Sequence, residues 1–254
     1  KTPNVSGSLN FSDVSGVDET WRSFAYYANA DYNYKYKYFV QGGLSMETSS
    51  RFGRDVEAGL KLAGVHWGLF PSIQTAWLLS SEDFFNREAL GINSLKLSAG
   101  YDVSGNDDVA ITASRTSLSA TRFMNGSVGL VLNNIGNTGI QWETTHRLRV
   151  GLDLTEYNNI LAFSLNFFKS YTNNLLTLKS LPEITGEGYY WSNDGSLENI
   201  GLDFGVRFKL LNRKNWKWEL GANATAYKNK ITALPDGDYT TTIYGANVLT
   251  SVGR

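Results

Sequence analysis

The sequence predicts an all-β protein, built as an antiparallel up-and-down transmembrane β-barrel. Three observations support this prediction: ring residues and glycine are abundant, apolar and polar residues alternate over long stretches, and short turns alternate with long loops. The 254 residues include 25 Gly, 14 Tyr, 13 Phe and 7 Trp but only 4 Pro. This mixture favours strands joined by turns over helices.

Composition also excludes several classes of function. The chain has no cysteine, which excludes disulfide scaffolds and thiol catalysis. Its 23 Lys and Arg balance 24 Asp and Glu, for a formal charge of −1, so it lacks the basic surplus that nucleic-acid binding requires. The longest apolar runs have only a few residues, far fewer than the roughly 20 of a membrane-spanning helix.

Alternation is the strongest feature of the chain. Between His146 and Leu154, the even positions carry His, Leu, Val, Leu and Leu, whereas the odd positions carry Arg, Arg, Gly and Asp. Residues 199–210 alternate in the same way. A period of two residues indicates a strand with one apolar and one polar face. Further runs bring the predicted strands to about eight: 24–34, 40–46, 69–79, 95–101, 161–167 and 216–227.

The predicted connections fall into two sets. Those of one end, mostly short, are 35–37, 80–94, 155–159 and 211–215, and those of the other end are 47–66, 102–141, 172–197 and 229 onward. Outer-membrane barrels have short periplasmic turns and long extracellular loops. The long loops are therefore expected to lie outside the cell.

The polar face carries charges that a small dry core could not hold without pairing each of them. We expect them to line a wet lumen: Arg147, Arg149, Asp153, Asp203 and Arg207. The three arginines could steer an anionic substrate, and paired, water-screened wall charges are the favoured interpretation. The opposite face is expected to meet lipid. Aromatic residues cluster near the short turns, where an interfacial girdle is expected: Tyr32, Tyr34, Tyr36, Tyr38, Trp216 and Trp218.

Six segments, in order along residues 20 to 230, resemble the barrel of SusC/RagA-type TonB-dependent transporters. They begin at Gln41 (QGGLSMETSSRFG), Gly68 (GLFPSIQTAW), Ser81 (SEDFF), Leu95 (LKLSAGY), Ile140 (IQWETT) and Leu197 (LENIGLD). Members of that family form barrels of roughly 22 strands, so about eight strands would be part of one. We accordingly expect residues 1–254 to be a portion of the barrel, with the plug domain and the terminal strands outside this chain.

The resemblance implies import of a nutrient, an oligosaccharide or a peptide, into the periplasm. It also implies a SusD-like lipoprotein as a lid over the long loops, and energy supplied by TonB through the plug. Outer-membrane lipid would surround the barrel. Two alternatives remain open at this stage: a soluble all-β surface glycan-binding module and, less favoured, a small outer-membrane enzyme barrel.

Candidate sites are few. His66 and His146 are far apart in the sequence, so neither a catalytic nor a metal site is predicted, and no cofactor is expected. Pairs of carboxylates at Asp107–Asp108 and Asp236–Asp238 could gather Ca²⁺ in outer loops, although solvated turn residues are the favoured interpretation. The rings of Tyr189, Tyr190 and Trp191 could stack on a sugar or contact a lid, and packing within the loop is the alternative.

Overall fold

The computed structural model describes residues 4–8, 11–15, 19–122, 128–156, 159–243 and 246–253. Its strands are β1 (Asn4–Ser8), β2 (Phe11–Ser15), β3 (Ser23–Tyr34), β4 (Tyr38–Ser49), β5 (Leu60–Leu62), β6 (Val65–Leu78), β7 (Ile92–Asn106), β8 (Ser117–Arg122), β9 (Val128–Asn134), β10 (Glu143–Glu156), β11 (Leu161–Ser180), β12 (Tyr189–Asn212), β13 (Lys217–Ala233), β14 (Tyr239–Ile243) and β15 (Ala246–Thr250). A four-residue helix, α1 (Arg87–Leu90), and 3-10 turns at Leu79–Ser81 and Glu183–Thr185 complete it. Among these residues, no helix combines the length and the apolar character needed to cross a membrane.

One sheet dominates the fold. Its strands follow the order β13-β12-β11-β10-β7-β6-β4-β3, every neighbouring pair is antiparallel, and β5 pairs with β6 outside this path. The three remaining pairs form separate two-stranded sheets: β1 with β2, β8 with β9, and β14 with β15. The eight strands of the main path are the eight that alternation predicts, and they form the expected up-and-down meander.

The predicted short turns are present where the structure describes them. At the turn between β3 and β4, Lys35 and Tyr36 have φ values of 53° and 54°, as a tight reversal requires. Residues 213–216 connect β12 to β13. In the predicted turn 155–159, residues 157 and 158 lie outside the described residues.

The prediction of a loop at 172–197 is wrong, because β11 continues to Ser180 and β12 begins at Tyr189. Beyond Phe167 the strict alternation is lost, because side chains such as Leu176 and Trp191 pack against buried loop residues, while the backbone pairing continues. Similarly, the predicted loop 102–141 contains the end of β7 and the hairpin of β8 and β9, and its residues 123–127 are not among those described. Helix α1, β5 and the hairpin of β14 and β15 lie within the other predicted loops.

Register divides the main sheet into two faces. The apolar face carries, for example, the row Leu152, Leu165, Phe204 and Ala224 across β10 to β13. These side chains are not covered: Leu148, Val150, Leu202 and Phe204 are 45%, 47%, 42% and 38% exposed. The buried apolar residues lie instead at the long-loop end, and we call them the loop core: Phe52, Val56, Phe70, Val109, Ala113, Ile140 and Trp142.

Candidate functional site

The polar face of the sheet carries all five charged residues that the sequence analysis singled out. Asp102 lies between two of them, with its carboxylate oxygens 3.4 Å from Arg147 Nη1 and 3.6 Å from Arg149 Nη2. The register explains this contact, because Arg147 is paired with Asp102, and Arg149 follows two residues later on the same face. A single carboxylate thus balances part of the charge of two guanidinium groups.

Further ion pairs span neighbouring strands of the polar face. Lys96 Nζ lies 2.9 Å from Asp153 Oδ2, and Arg207 Nε lies 3.0 Å from Glu219 Oε1. Asp203 stands between Asn166 and Thr225 in the register, and within the described ranges it has no ion-pair partner. Because four of the five predicted residues are paired and partly exposed, the geometry agrees with wall charges screened by water.

Small polar side chains cover much of the remaining polar face. In three places a glycine is flanked by a serine and an asparagine from the neighbouring strands, and the oxygen atoms of both lean over the glycine. A Cβ atom at Gly151, for instance, would lie 2.6 Å from both Ser98 Oγ and Asn166 Oδ1. The other two groups are Gly43 with Ser72 and Asn29, and Gly205 with Ser164 and Asn223.

These groups give the face small side chains that can donate and accept hydrogen bonds. A groove of about 530 Å³ runs along it, and its polar lining includes Asp31, Gln41, Gln74, Asp102, Arg149 and Asn166. Such a surface suits hydrated or hydroxyl-rich molecules, because its donors and acceptors replace contacts with water.

Arg51, in the Ser-Ser-Arg-Phe-Gly segment, precedes Phe52 of the loop core and connects neighbouring loops. Its guanidinium lies 4.3 Å from the centre of the Trp21 ring, and Arg51 Nη1 donates a hydrogen bond of 2.9 Å to the carbonyl of Asp107. Gly53 then packs directly on the backbone of Thr138, where a Cβ atom would collide with the carbonyl group. The loops that follow β4 and β7 are thereby joined into one unit.

Asn193 attaches the same unit to β12. Its Oδ1 accepts a hydrogen bond of 2.9 Å from the backbone N–H of Gln141, and its Nδ2 donates to the carbonyls of Gln141 and Asn174 at 2.9 and 2.8 Å. Nearby, Asn137 Nδ2 donates to the carbonyl of Trp191 at 3.0 Å. The extended β11–β12 hairpin is therefore held against the loop core.

The three rings at the start of β12 have different environments. Trp191 packs against the loop core, whereas Tyr190 is half-buried and Tyr189 is 60% exposed. The structure thus places Trp191 in a packing position and leaves Tyr189 as the most accessible of the three rings.

The two histidines and Asp236 have different surroundings. Tyr101 and His146 are hydrogen-bonded at 2.8 Å between the phenol oxygen and Nδ1, while His66 Nε2 is buried without a partner among the described residues. Asp236 Oδ2 accepts the backbone N–H of Ser180 at 2.7 Å, which lowers the pKa of Asp236. In the described ranges, no three His, Asp or Glu residues are grouped so that they could hold a metal ion.

At the short-turn end, Glu82 joins several elements. It accepts hydrogen bonds from Tyr38 Oη at 2.6 Å, Trp77 Nε1 at 2.9 Å and Lys37 Nζ at 3.1 Å. These bonds, the one from Tyr38 above all, lower the pKa of Glu82 to about 2. The carboxylate thus stays ionised at neutral pH and connects the rings of Tyr38 and Trp77 to Lys37 in the β3–β4 turn.

Sequence reasoning missed Asp102 and Glu82, and it considered Asn193 only as a polar neighbour of the three rings. The alternation of polar and apolar residues could have identified Asp102, because this residue continues the polar positions of β7 that begin with Lys96. Nothing in the local pattern indicates Glu82 or Asn193. Two of the three partners of Glu82, Tyr38 and Lys37, lie 44 and 45 residues away, and the partners of Asn193 lie at least 19 residues away.

An uncovered apolar face opposite a charged polar face defines a segment of an outer-membrane β-barrel. The chain belongs to the family described as TonB dependent receptor-like, beta-barrel, which matches residues 2–252. Members of this family are outer-membrane receptors and transporters rather than enzymes, so the predicted location and the non-enzymatic class are confirmed, and the soluble module is excluded.

Individual relatives agree with this assignment. TonB-dependent receptor P39 of Formosa agariphila is 30% identical over 89% of this chain, and TonB-dependent receptor SusC of Bacteroides thetaiotaomicron is 25% identical over 84%. A structure of the RagAB peptide transporter superposes with a TM-score of 0.81 over 98% of the chain at 20% identity. The chain spans 21% of the length of P39 and of SusC, and 26% of the RagAB chain.

Proposed function

We propose that this chain forms part of the wall of a transporter that imports an oligosaccharide or a peptide across the outer membrane. In this proposal, the polar face lines the lumen, the apolar face meets lipid, and the loop core lies outside the cell. The observation that carries the proposal is the exposure of the apolar face, because a soluble protein rarely leaves so large an apolar patch uncovered.

The partners follow from the same proposal. A SusD-like lipoprotein would cover the long loops, for which the loop core provides a rigid platform. TonB would act through a plug domain, and the plug and the terminal strands would lie outside residues 1–254. The description of RagAB as a peptide transporter favours a peptide substrate, and the oligosaccharide that the SusC/RagA resemblance also implies is the second candidate.

Topology can be tested with single cysteines, since the chain has none of its own. Asn106→Cys, at the end of β7, should react with an impermeant maleimide on intact cells, and Lys214→Cys, in the turn before β13, should react only after lysis. Both residues are exposed. Labelling of Lys214→Cys alone on intact cells would reverse the orientation.

The substrate class can be tested at Tyr189. The complete protein, purified in detergent, is incubated with mixtures of oligopeptides and of oligosaccharides, and mass spectrometry identifies what is bound. If Tyr189 contacts the substrate, Tyr189→Ala should weaken binding roughly two- to tenfold through the loss of ring contacts. Tyr36→Ala, which removes an exposed tyrosine at the opposite end, is the control and should bind normally.

A further inference from the structure

Three lysines lie on the apolar face, where the alternation calls for apolar residues. Lys169 and Lys228 flank Ile200 in one row across β11, β12 and β13, and Lys230 is paired with Glu198 in the next row towards the long loops. Below them, the same positions of β13 are Ala226, Ala224 and Ala222. The face therefore changes from apolar to cationic at one level of the sheet.

This level coincides with the end of the apolar band. On β11, the band extends from Leu161 to Phe167, and Lys169 is the next residue on that face. Eight residues from Leu161 to Lys169 rise about 20 Å in a strand tilted by about 40°, which is close to the height of the lipid-facing band. A lysine here costs little free energy, whereas one at the bilayer midplane would destabilise the barrel.

The three ammonium groups are close enough to act together. Neighbouring strands are about 4.8 Å apart, so the Cα atoms of Lys169 and Lys228 are roughly 10 Å apart, and those of Lys228 and Lys230 roughly 7 Å. The long side chains can bridge these distances. Lys169 Nζ forms an ion pair of 3.3 Å with Glu198 Oε2. Within the described residues, Lys228 and Lys230 are exposed and have no acidic partner within 4 Å, so the cluster keeps a net positive charge.

The cluster also has hydrogen-bonding neighbours on the same face. Tyr171 is paired with both Glu198 and His146, and His146 is bonded to Tyr101. A row of phenol and imidazole groups beside lysines, directly above hydrocarbon, fits a headgroup that carries phosphate and hydroxyl groups.

We propose that Lys169, Lys228 and Lys230 form a binding site for the phosphate of an anionic lipid in the outer leaflet. The proposal rests on the membrane orientation of the apolar face given above, which the cysteine-labelling experiment tests separately. Two features favour a lipid occupant. The net positive charge of the cluster complements a phosphate group, and the cluster lies on the same face as the apolar band, directly next to it.

The test uses the complete protein, purified in detergent, and native mass spectrometry with bisphosphorylated lipid A as the probe. The variant is Lys228→Gln combined with Lys230→Gln, and the control is Lys61→Gln combined with Lys214→Gln, which removes the same charge from two exposed lysines elsewhere. Each lysine near the headgroups contributes about fivefold, so the variant should bind roughly 25-fold more weakly and the control normally. Both should keep heat-modifiable gel mobility, which shows that the barrel is folded.

Two further arms identify the source of the phosphate. Dephosphorylated lipid A should bind the wild type and the variant equally, and millimolar inorganic phosphate should not displace lipid A. Equal binding of lipid A to wild type and variant would overturn the proposal, as would an equal loss in the control. Displacement by inorganic phosphate would indicate a site for the free anion, and loss of a copurifying protein with unchanged lipid binding would indicate a protein interface; either result overturns it too.

Discussion

The rings of Phe163 and Phe204 meet edge to face across β11 and β12, with centroids 5.3 Å apart and planes at 76°. Both residues belong to the apolar face, and Phe204 lies midway between Ile200 and Phe208, near the centre of the band. The two rings therefore pack on each other and on the sheet, and their outer side is exposed. This geometry gives the membrane assignment a direct test.

Phe204→Arg is expected to destabilise the folded barrel by about 2–4 kcal/mol, because the charge would lie near the bilayer midplane. Phe204→Leu should cost at most about 1.5 kcal/mol, the value of the lost ring pair, since lipid refills the space. Thr225→Arg, at the same level on the polar face, should be tolerated. Urea unfolding in lipid vesicles measures the stability of the three variants. Equal losses of stability for Phe204→Arg and Thr225→Arg would contradict the assignment of the faces.

Gly151→Ala should destabilise the sheet. The new methyl group would meet Ser98 Oγ and Asn166 Oδ1 at 2.6 Å, and both side chains would have to turn away. Crowding of this kind costs about 1–3 kcal/mol. Gly100→Ala is the matched control, because its Cβ would have its nearest contact at 3.4 Å. The temperature at which heat-modifiable mobility is lost should fall for the first variant only.

Gly205→Arg tests the same crowding on β12. The alternation alone would predict a nearly harmless change, because Gly205 has the parity of the lumen-facing residues. The structure places Ser164 Oγ 2.5 Å from the Cβ position, so the arginine must first displace that serine. We expect a measurable loss of stability, smaller than that of Phe204→Arg.

Gly53→Ala should disrupt the loop core while leaving the barrel folded. Its Cβ would collide with the backbone of Thr138, which cannot move aside as a side chain can. Limited proteolysis should then cleave the long loops faster, at unchanged heat-modifiable mobility. Gly188→Ala, in the connection between β11 and β12, meets nothing within 4 Å and should be cleaved like the wild type. Loss of the folded barrel itself would show that the loop core and the sheet are one cooperative unit.

Acid should weaken the hydrogen bonds that Glu82 accepts from Tyr38 and Trp77. The pKa of this carboxyl is lowered from 4.5 to about 2 in the folded protein, so the stability from its ionised form is complete above pH 4.5. That contribution is lost as the pH falls towards 2. Glu82→Gln should therefore lower the unfolding temperature at pH 7, and the difference from wild type should shrink between pH 4.5 and 2. Glu88→Gln, on exposed α1, removes a carboxylate outside this hydrogen-bond network and should leave the unfolding temperature at pH 7 unchanged.

The sequence by itself determined the eight strands of the sheet and the face on which each residue lies. This was possible because a strand between lipid and water must alternate with a period of two, as from His146 to Leu154. It also determined which end carries the long loops, since strand direction alternates along a meander. The five charged residues of the polar face were predictable on the same basis.

Only the tertiary structure decided which of these residues meet. Asp102 binds Arg147 and Arg149, and Asn193 binds Gln141, through contacts between residues far apart in the chain, for which no local pattern exists. The continuation of β11 to Ser180 was hidden for a related reason. Outside the apolar band the strict alternation is lost. Backbone pairing, which leaves no trace in the order of side chains, holds the hairpin together with the packing of Leu176 and Trp191 against the loop core.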